Sequence, residues 1–163
     1  FPDGADQPQL VSAARRINEA LPATVAEHFL RRLIGDSEGA TVLVCGFAYK
    51  GWPMTDDVRG SSTPAIMDIL QSSSLDLRGH DFLVADETIE AMGASPVRDV
   101  ESGMEGADAV LFVNEHPDYR SLDIAALAER LKRPALIYDC WNMFGADAVR
   151  SIPGVEYAGI GFD

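Results

Sequence analysis

The sequence predicts a doubly wound α/β fold, with a mostly parallel sheet of five to six strands preceded by a long N-terminal helix. Three observations predict it. Short apolar runs of strand length recur from residue 41 onward, and amphipathic stretches of helical period lie between them. Strands that alternate with helices favour a parallel sheet covered on both faces. A chain of 163 residues with 47% apolar content is also enough to close one hydrophobic core.

From residue 7 to about 34, Leu10, Ala14, Ile17, Leu21, Val25, Phe29 and Leu33 recur at spacings of three and four, a single stripe along a helix. Pro22 interrupts it. Proline removes one backbone hydrogen bond and crowds the preceding turn, so the expectation is a kink, or two consecutive helices, near Leu21. Residues 35–39 then end the helical part. Strands are expected at residues 41–47, 81–85, 109–114, 135–140 and 157–162, and helices at 63–72, 100–106 and 124–131. Residues 87–99 are the least legible, since Gly93, Pro96 and Val97 fit either a short strand or a loop. The division that follows is a helical segment at 1–38 and an α/β domain at 39–163. Phe1, in place of Met, and the polar lead behind it read as a fragment of a longer protein.

Composition removes several functions. With 13 basic against 26 acidic residues the net charge is −13, which repels phosphate backbones and anionic membranes, so no nucleic acid is expected as a partner. No run approaches the roughly 20 apolar residues of a membrane span, and no signal peptide is seen, so a soluble, cytoplasmic chain is expected. Cys45 and Cys140 each fall in or at the end of a strand-like run and read as reduced, inert thiols. His28 and His80 have no acidic or cysteine partners at ligand spacing, so no metal is assigned.

The best candidate site is the long loop that leaves the first strand, Gly46 to Thr63. In doubly wound sheets ligands sit outside the carboxyl ends of the strands. The three-glycine dinucleotide turn is not built here, because Phe47, Ala48 and Tyr49 follow Gly46, and this disfavours NAD binding by this domain. The loop instead offers cations at Lys50 and Arg59 and amides near residues 61–63 at a helix start, all suited to phosphate oxygens. Against that stands a plainer reading, in which Lys50 is solvated and Asp57 and Arg59 pin the loop to itself. Trp52 beside Pro53 is open to two readings, stacking on a base or sugar and plugging the packing. Glu115 and His116 stand at a strand exit where an acid and a base would be placed, but Pro117 follows and favours a turn-fixing role.

The strings Gly46-Phe47-Ala48-Tyr49-Lys50 and Thr55-Asp56-Asp57-Val58-Arg59-Gly60-Ser61-Ser62 resemble the C-terminal domain of the UDP-glucose/GDP-mannose dehydrogenase family. Further matches follow in order: Glu105-Gly106-Ala107-Asp108-Ala109-Val110, Asn114-Glu115-His116 with Tyr119 and Leu122-Asp123, and Tyr138-Asp139. The helix holding Ala14-Arg15-Arg16-Ile17-Asn18 and Pro22 resembles the one that joins that family's central dimerisation region to its C-terminal domain. The resemblance covers nearly the whole chain.

It implies a Rossmann-like domain of an NAD-dependent enzyme that oxidises the primary alcohol of a UDP-sugar or GDP-sugar to a carboxylate through a cysteine-bound intermediate, working as a homodimer. Tyr49 and Lys50 take the places of the aromatic and the lysine that contact the sugar nucleotide, and Arg59 that of an arginine reaching the NAD on another domain. The late strand reads Asp139-Cys140-Trp141-Asn142 where many members carry an arginine, with Asn142 aligned to a substrate-contacting position. The family's nucleophile lies in a glycine-rich segment upstream of the long helix. Cys45 and Cys140 do not match it, so no residue of this chain is assigned as catalytic. The rival readings are a free-standing nucleotide or nucleotide-sugar sensor and an oligomerisation domain, the latter opposed by the polar loop from Lys50 to Ser62.

Overall fold

A computed structural model describes residues 9–33 and 39–162. The polar lead at residues 1–8 and the helix stop at 35–38 lie outside the described residues. In chain order the elements are α1 (Gln9–Arg32), β1 (Thr41–Cys45), α2 (Thr63–Gln71), β2 (Asp76–His80), α3 (Asp86–Ala91), β3 (Ser95–Pro96), α4 (Val100–Met104), β4 (Ala109–Phe112), α5 (Pro117–Arg120), α6 (Ile124–Ala128), β5 (Ala135–Asp139), α7 (Ala146–Arg150) and β6 (Val155–Ala158). The six strands form one sheet in the order β3-β2-β1-β4-β5-β6. Every neighbouring pair is parallel. This is the Rossmann order, in which the chain returns to the middle of the sheet and reverses direction between β1 and β4.

Side-chain alternation along the strands divides the interior in two. Val42 and Val44, with Leu111 and Tyr138, face a core closed by α1, α2 and α3. Leu43 and Cys45, with Val110, Phe112 and Ile137, face a second core closed by α4, α5, α6 and α7. The central strands are buried on both sides, which is why they read as continuous apolar runs.

Helix α1 runs through Pro22 as one helix, so the expected pair of helices is not formed. Proline withdraws one amide, and in the same turn the Thr24 hydroxyl donates to the Ala20 carbonyl at 3.2 Å. The apolar stripe read as uniform has two different fates. Val25, Phe29 and Leu33 are buried against the sheet, whereas Leu10 is 81% and Ile17 69% exposed.

Two expected strands are displaced. The strand placed at 81–85 is instead β2 at Asp76–His80, and residues 81–85 form the turn after it. The apolar triplet Phe82-Leu83-Val84 drew the assignment, yet only Val84 is buried. The true strand looks polar because Arg78 turns to the Gly103 and Glu105 carbonyls, at 3.0 and 2.8 Å. Gly79 leaves room for the Ile89 and Phe47 side chains, which a Cβ there would strike. The strand placed at 157–162 is β6 at Val155–Ala158, with Gly159 and Phe162 joined beyond it in an isolated antiparallel bridge. The illegible stretch holds both a helix, α3, and the edge strand β3. An edge position tolerates Pro96, which has no amide for a ladder.

Candidate functional site

The carboxyl ends of β1 and β4, where the chain reverses direction, are the place a doubly wound sheet leaves open to a ligand. The loop leaving β1 is fastened there at both ends. Gly46 turns with φ 99°, and a Cβ on it would lie 2.6 Å from the Asn114 side chain, so glycine is needed for both reasons. Asn114, buried at the exit of β4, donates from Nδ2 to the Ala48 carbonyl at 3.3 Å, and its Oδ1 accepts from the His116 amide at 3.2 Å. The Thr63 hydroxyl, at the start of α2, donates to the Gly46 carbonyl at 2.7 Å. Gly51 packs on the backbone of Glu115 and His116.

The tie with the most bonds is Asp81. Its Oδ2 accepts from the Phe47 and Ala48 amides at 2.7 and 3.1 Å, and its Oδ1 from the Leu83 and Val84 amides at 2.9 and 3.2 Å.

Within the loop, the Tyr49 amide donates to the Asp57 carbonyl at 3.0 Å. Lys50 Nζ stands 4.7 Å from the centroid of the Tyr49 ring, and Tyr49 is 43% exposed. The two residues thus present a cation on an aromatic face at the loop's surface. Arg59 grips both carboxylate oxygens of Asp57, Nε to Oδ1 at 2.9 Å and Nη2 to Oδ2 at 2.7 Å. The hydrogen bonds from the Arg59 side chain and amide pull the Asp57 carboxyl down to about 2. Two of the amides expected to be free at the start of α2 are already engaged. Ser61 donates its amide to the Val58 carbonyl, and Thr63 donates to Ser61 Oγ.

Asn142 lies apart from this loop, beyond β5. It is exposed, holds φ 51°, and its Oδ1 is 3.4 Å from the Tyr157 hydroxyl. Asp139 organises that corner: buried at 0% exposure, it accepts from the Trp141 and Met143 amides and from the Tyr157 hydroxyl. Trp141 donates its indole N–H to the Val113 carbonyl at 2.8 Å. Between the two loops and α1 lies an apolar cleft of about 280 Å³, lined by Pro22, Val25, Ser62, Val113, Cys140 and Trp141 among others. Tyr49, Lys50, Arg59 and Asn142 do not line it.

The remaining candidates are structural in their contacts. His116 caps α5, with Nδ1 accepting from the Asp118 amide, and stacks on Phe82 at 4.8 Å. Glu115 pairs with Arg120 at 3.1 Å. His80 Nδ1 lies 3.0 Å from the Tyr119 hydroxyl, and burial lowers its pKa. Trp52 is 67% exposed, so it plugs no packing among the described residues. Burial pushes the Cys45 thiol up, and burial with the Asp139 charge raises Cys140 to about 12, which leaves both sulfurs poor nucleophiles. Sequence reasoning missed Asp81 by placing it inside a strand.

Residues 43–146 match the profile of the UDP-glucose/GDP-mannose dehydrogenase family, UDP binding domain. A UDP-N-acetyl-D-mannosamine dehydrogenase of Pyrococcus horikoshii is 31% identical over 93% of this chain and 33% of its own length. A UDP-glucose 6-dehydrogenase of Rhizobium meliloti is 29% identical over 94% of the chain and 34% of its own. Among solved structures, a UDP-D-ManNAc dehydrogenase from Pyrococcus horikoshii superposes with a TM-score of 0.76 at 28% identity, covering 98% of this chain and 35% of that one. The chain therefore spans about a third of the length of the relatives it matches.

Proposed function

The chain belongs to the UDP-glucose/GDP-mannose dehydrogenase family as its C-terminal domain, and we propose that it supplies the sugar-nucleotide half of an NAD-dependent dehydrogenase oxidising the primary alcohol of a UDP- or GDP-sugar to the uronate. One observation carries this reading: Lys50 set on the Tyr49 ring at the carboxyl edge where β1 and β4 part, in a loop pinned to the sheet by Asn114 and Thr63. Lysine is a mobile point charge suited to a diphosphate or a sugar oxygen, and arginine's planar fork suits a second phosphate or an amide. Tyr49, Lys50 and Asn142 are assigned to the sugar nucleotide and Arg59 to a cofactor held by the other half.

NAD does not fit this domain's own turn. The usual glycines are replaced by Phe47, Ala48 and Tyr49, and the Phe47 and Ala48 amides already serve Asp81. The cofactor, which supplies the hydride acceptor, is assigned to the other half of the protein, along with the nucleophilic thiol, for which buried Cys45 and Cys140 are unsuited. This reading takes residues 1–38 as the end of the dimerisation region and 39–163 as the binding domain. It places the protein in the cytoplasm. Among the described residues no helix is long and apolar enough to cross a membrane. A homodimer forms through the exposed stripe of Leu10, Ile17 and Leu21. Light scattering of Leu21→Asp tests it, and an unchanged mass counts against the pairing.

Calorimetry of this chain against UDP, GDP, UDP-glucose, a UDP-N-acetyl sugar and GDP-mannose tests the central proposal. A ranked preference among the nucleotides is expected, with no NADH formed by the chain alone. No binding to any of them defeats the reading, and turnover by the isolated chain defeats the division of labour.

A further inference from the structure

We propose that Asp81 is the positioning residue of the sugar-nucleotide loop, an internal anion standing where the turn after β1 would otherwise receive a phosphate. The identity of the ligand rests on the function proposed above; the role of Asp81 in the turn does not.

In a doubly wound sheet the backbone amides just after β1 collect external negative charge. Here two of those amides, Phe47 and Ala48, close on one carboxylate oxygen at 2.7 and 3.1 Å. The other oxygen takes Leu83 and Val84 at 2.9 and 3.2 Å. One side chain thereby joins the exit of β1 to the exit of β2 with four charge-assisted bonds, two to each. Tyr49 and Lys50 follow Ala48 directly, so the angle at which the chain leaves Ala48 sets where the cation and the ring stand. Asn114 holds the Ala48 carbonyl on the opposite side at 3.3 Å. The peptide at Ala48 is thus gripped through both of its neighbouring polar groups, and the loop starts from a fixed direction. A phosphate brought to the same two amides would meet a carboxylate already within hydrogen-bond distance of them, and like charges that close repel. The domain is closed to a pyrophosphate there by its own chemistry as well as by its lack of the three-glycine pattern.

Two substitutions in this chain test the proposal, Asp81→Asn, which keeps the shape and one acceptor oxygen, and Asp81→Ala, which removes both. Nitrogen-resolved NMR follows the Phe47 and Ala48 amides, calorimetry follows UDP, and melting follows the fold. In Asp81→Asn the fold is expected to persist with the Phe47 and Ala48 signals moved upfield and exchanging faster, and UDP affinity down roughly tenfold. Lys50→Ala should weaken UDP while leaving those two signals in place, which separates positioning from contact. Added inorganic pyrophosphate should shift the Phe47 and Ala48 signals of a folded Asp81 variant and leave the wild type unmoved. The proposal is overturned if Asp81→Asn leaves the signals and UDP affinity unchanged, if the signals move while affinity does not, or if pyrophosphate moves the wild type equally. A wild-type chain that binds no UDP sinks the ligand assignment instead, and the amide and pyrophosphate readouts then still decide the role of Asp81 in the turn.

Discussion

Two loops leave the carboxyl edge of the sheet, each held by an aspartate, Asp139 at the last residue of β5 and Asp57 within the loop after β1, and the two carboxylates do different jobs. After β5, Asp139 is fully buried and accepts from two amides and the Tyr157 hydroxyl, so the corner is fixed from within. After β1, Asp57 meets Arg59 at the surface, where the arginine side chain is 89% exposed. The same pairing of carboxylate with donors is a structural keystone in one place and an exchangeable contact in the other. Burial decides which, since a buried acceptor leaves its donors stranded when it is removed, while at the surface water replaces it.

The largest effect should come from the buried corner. Asp139→Ala strands two amides and a phenol, each costing about 1–3 kcal/mol, so a loss of about 3 kcal/mol or more is expected, lowering the melting midpoint by roughly 10 °C. Thermal unfolding followed by circular dichroism checks it. A loss under about 1 kcal/mol would erase the contrast between the loops.

Lys50→Ala, in the exposed loop, should spare the melting point and weaken UDP binding by about one to two decades, the worth of a charge-assisted hydrogen bond. Equal affinity in calorimetry would return Lys50 to a solvated role. Under the proposed division of labour, Arg59→Ala in the longer dehydrogenase should raise the apparent KM for NAD more than that for the sugar nucleotide. Steady-state kinetics with each substrate varied settles the order, and the reverse order would assign Arg59 to the substrate side.

The smallest effect concerns pH. The Asp57 carboxyl titrates near 2 when folded, below its ordinary 3.8, so whatever stability the Arg59 pair adds is complete above about pH 4 and fades as the pH falls toward 2. Carbon-detected NMR titration should find a midpoint near 2 that returns toward the ordinary value in Arg59→Ala. A midpoint that stays near 2 would mean the Arg59 guanidinium is not its cause.

Much of this fold was legible because central parallel strands are apolar throughout. The runs at β1, β4 and β5 were placed correctly and overrun by only one or two residues at their carboxyl ends. Near the sheet's edges the signal thinned. Strand β2 carries Asp76, Arg78 and His80 among its five residues, and its turn is more apolar than the strand itself. Helices α3, α5 and α7, of four to six residues, were not placed from the sequence. The Asp57–Arg59 pair was readable from two residues close in sequence. Asp81, thirty-three residues from Ala48, was not.

The sequence alone determined the class of fold, the loop after β1 as the place to look, and the family to which the chain belongs, because periodicity, glycine placement and short motifs are local properties. The tertiary structure decided which stretch of the α1 stripe is covered, which aspartates are keystones, and that the turn after β1 is filled by the chain's own carboxylate. Those outcomes depend on parts brought together by the winding of the sheet. Identical residue types differ there only in what surrounds them, and no local pattern encodes those surroundings.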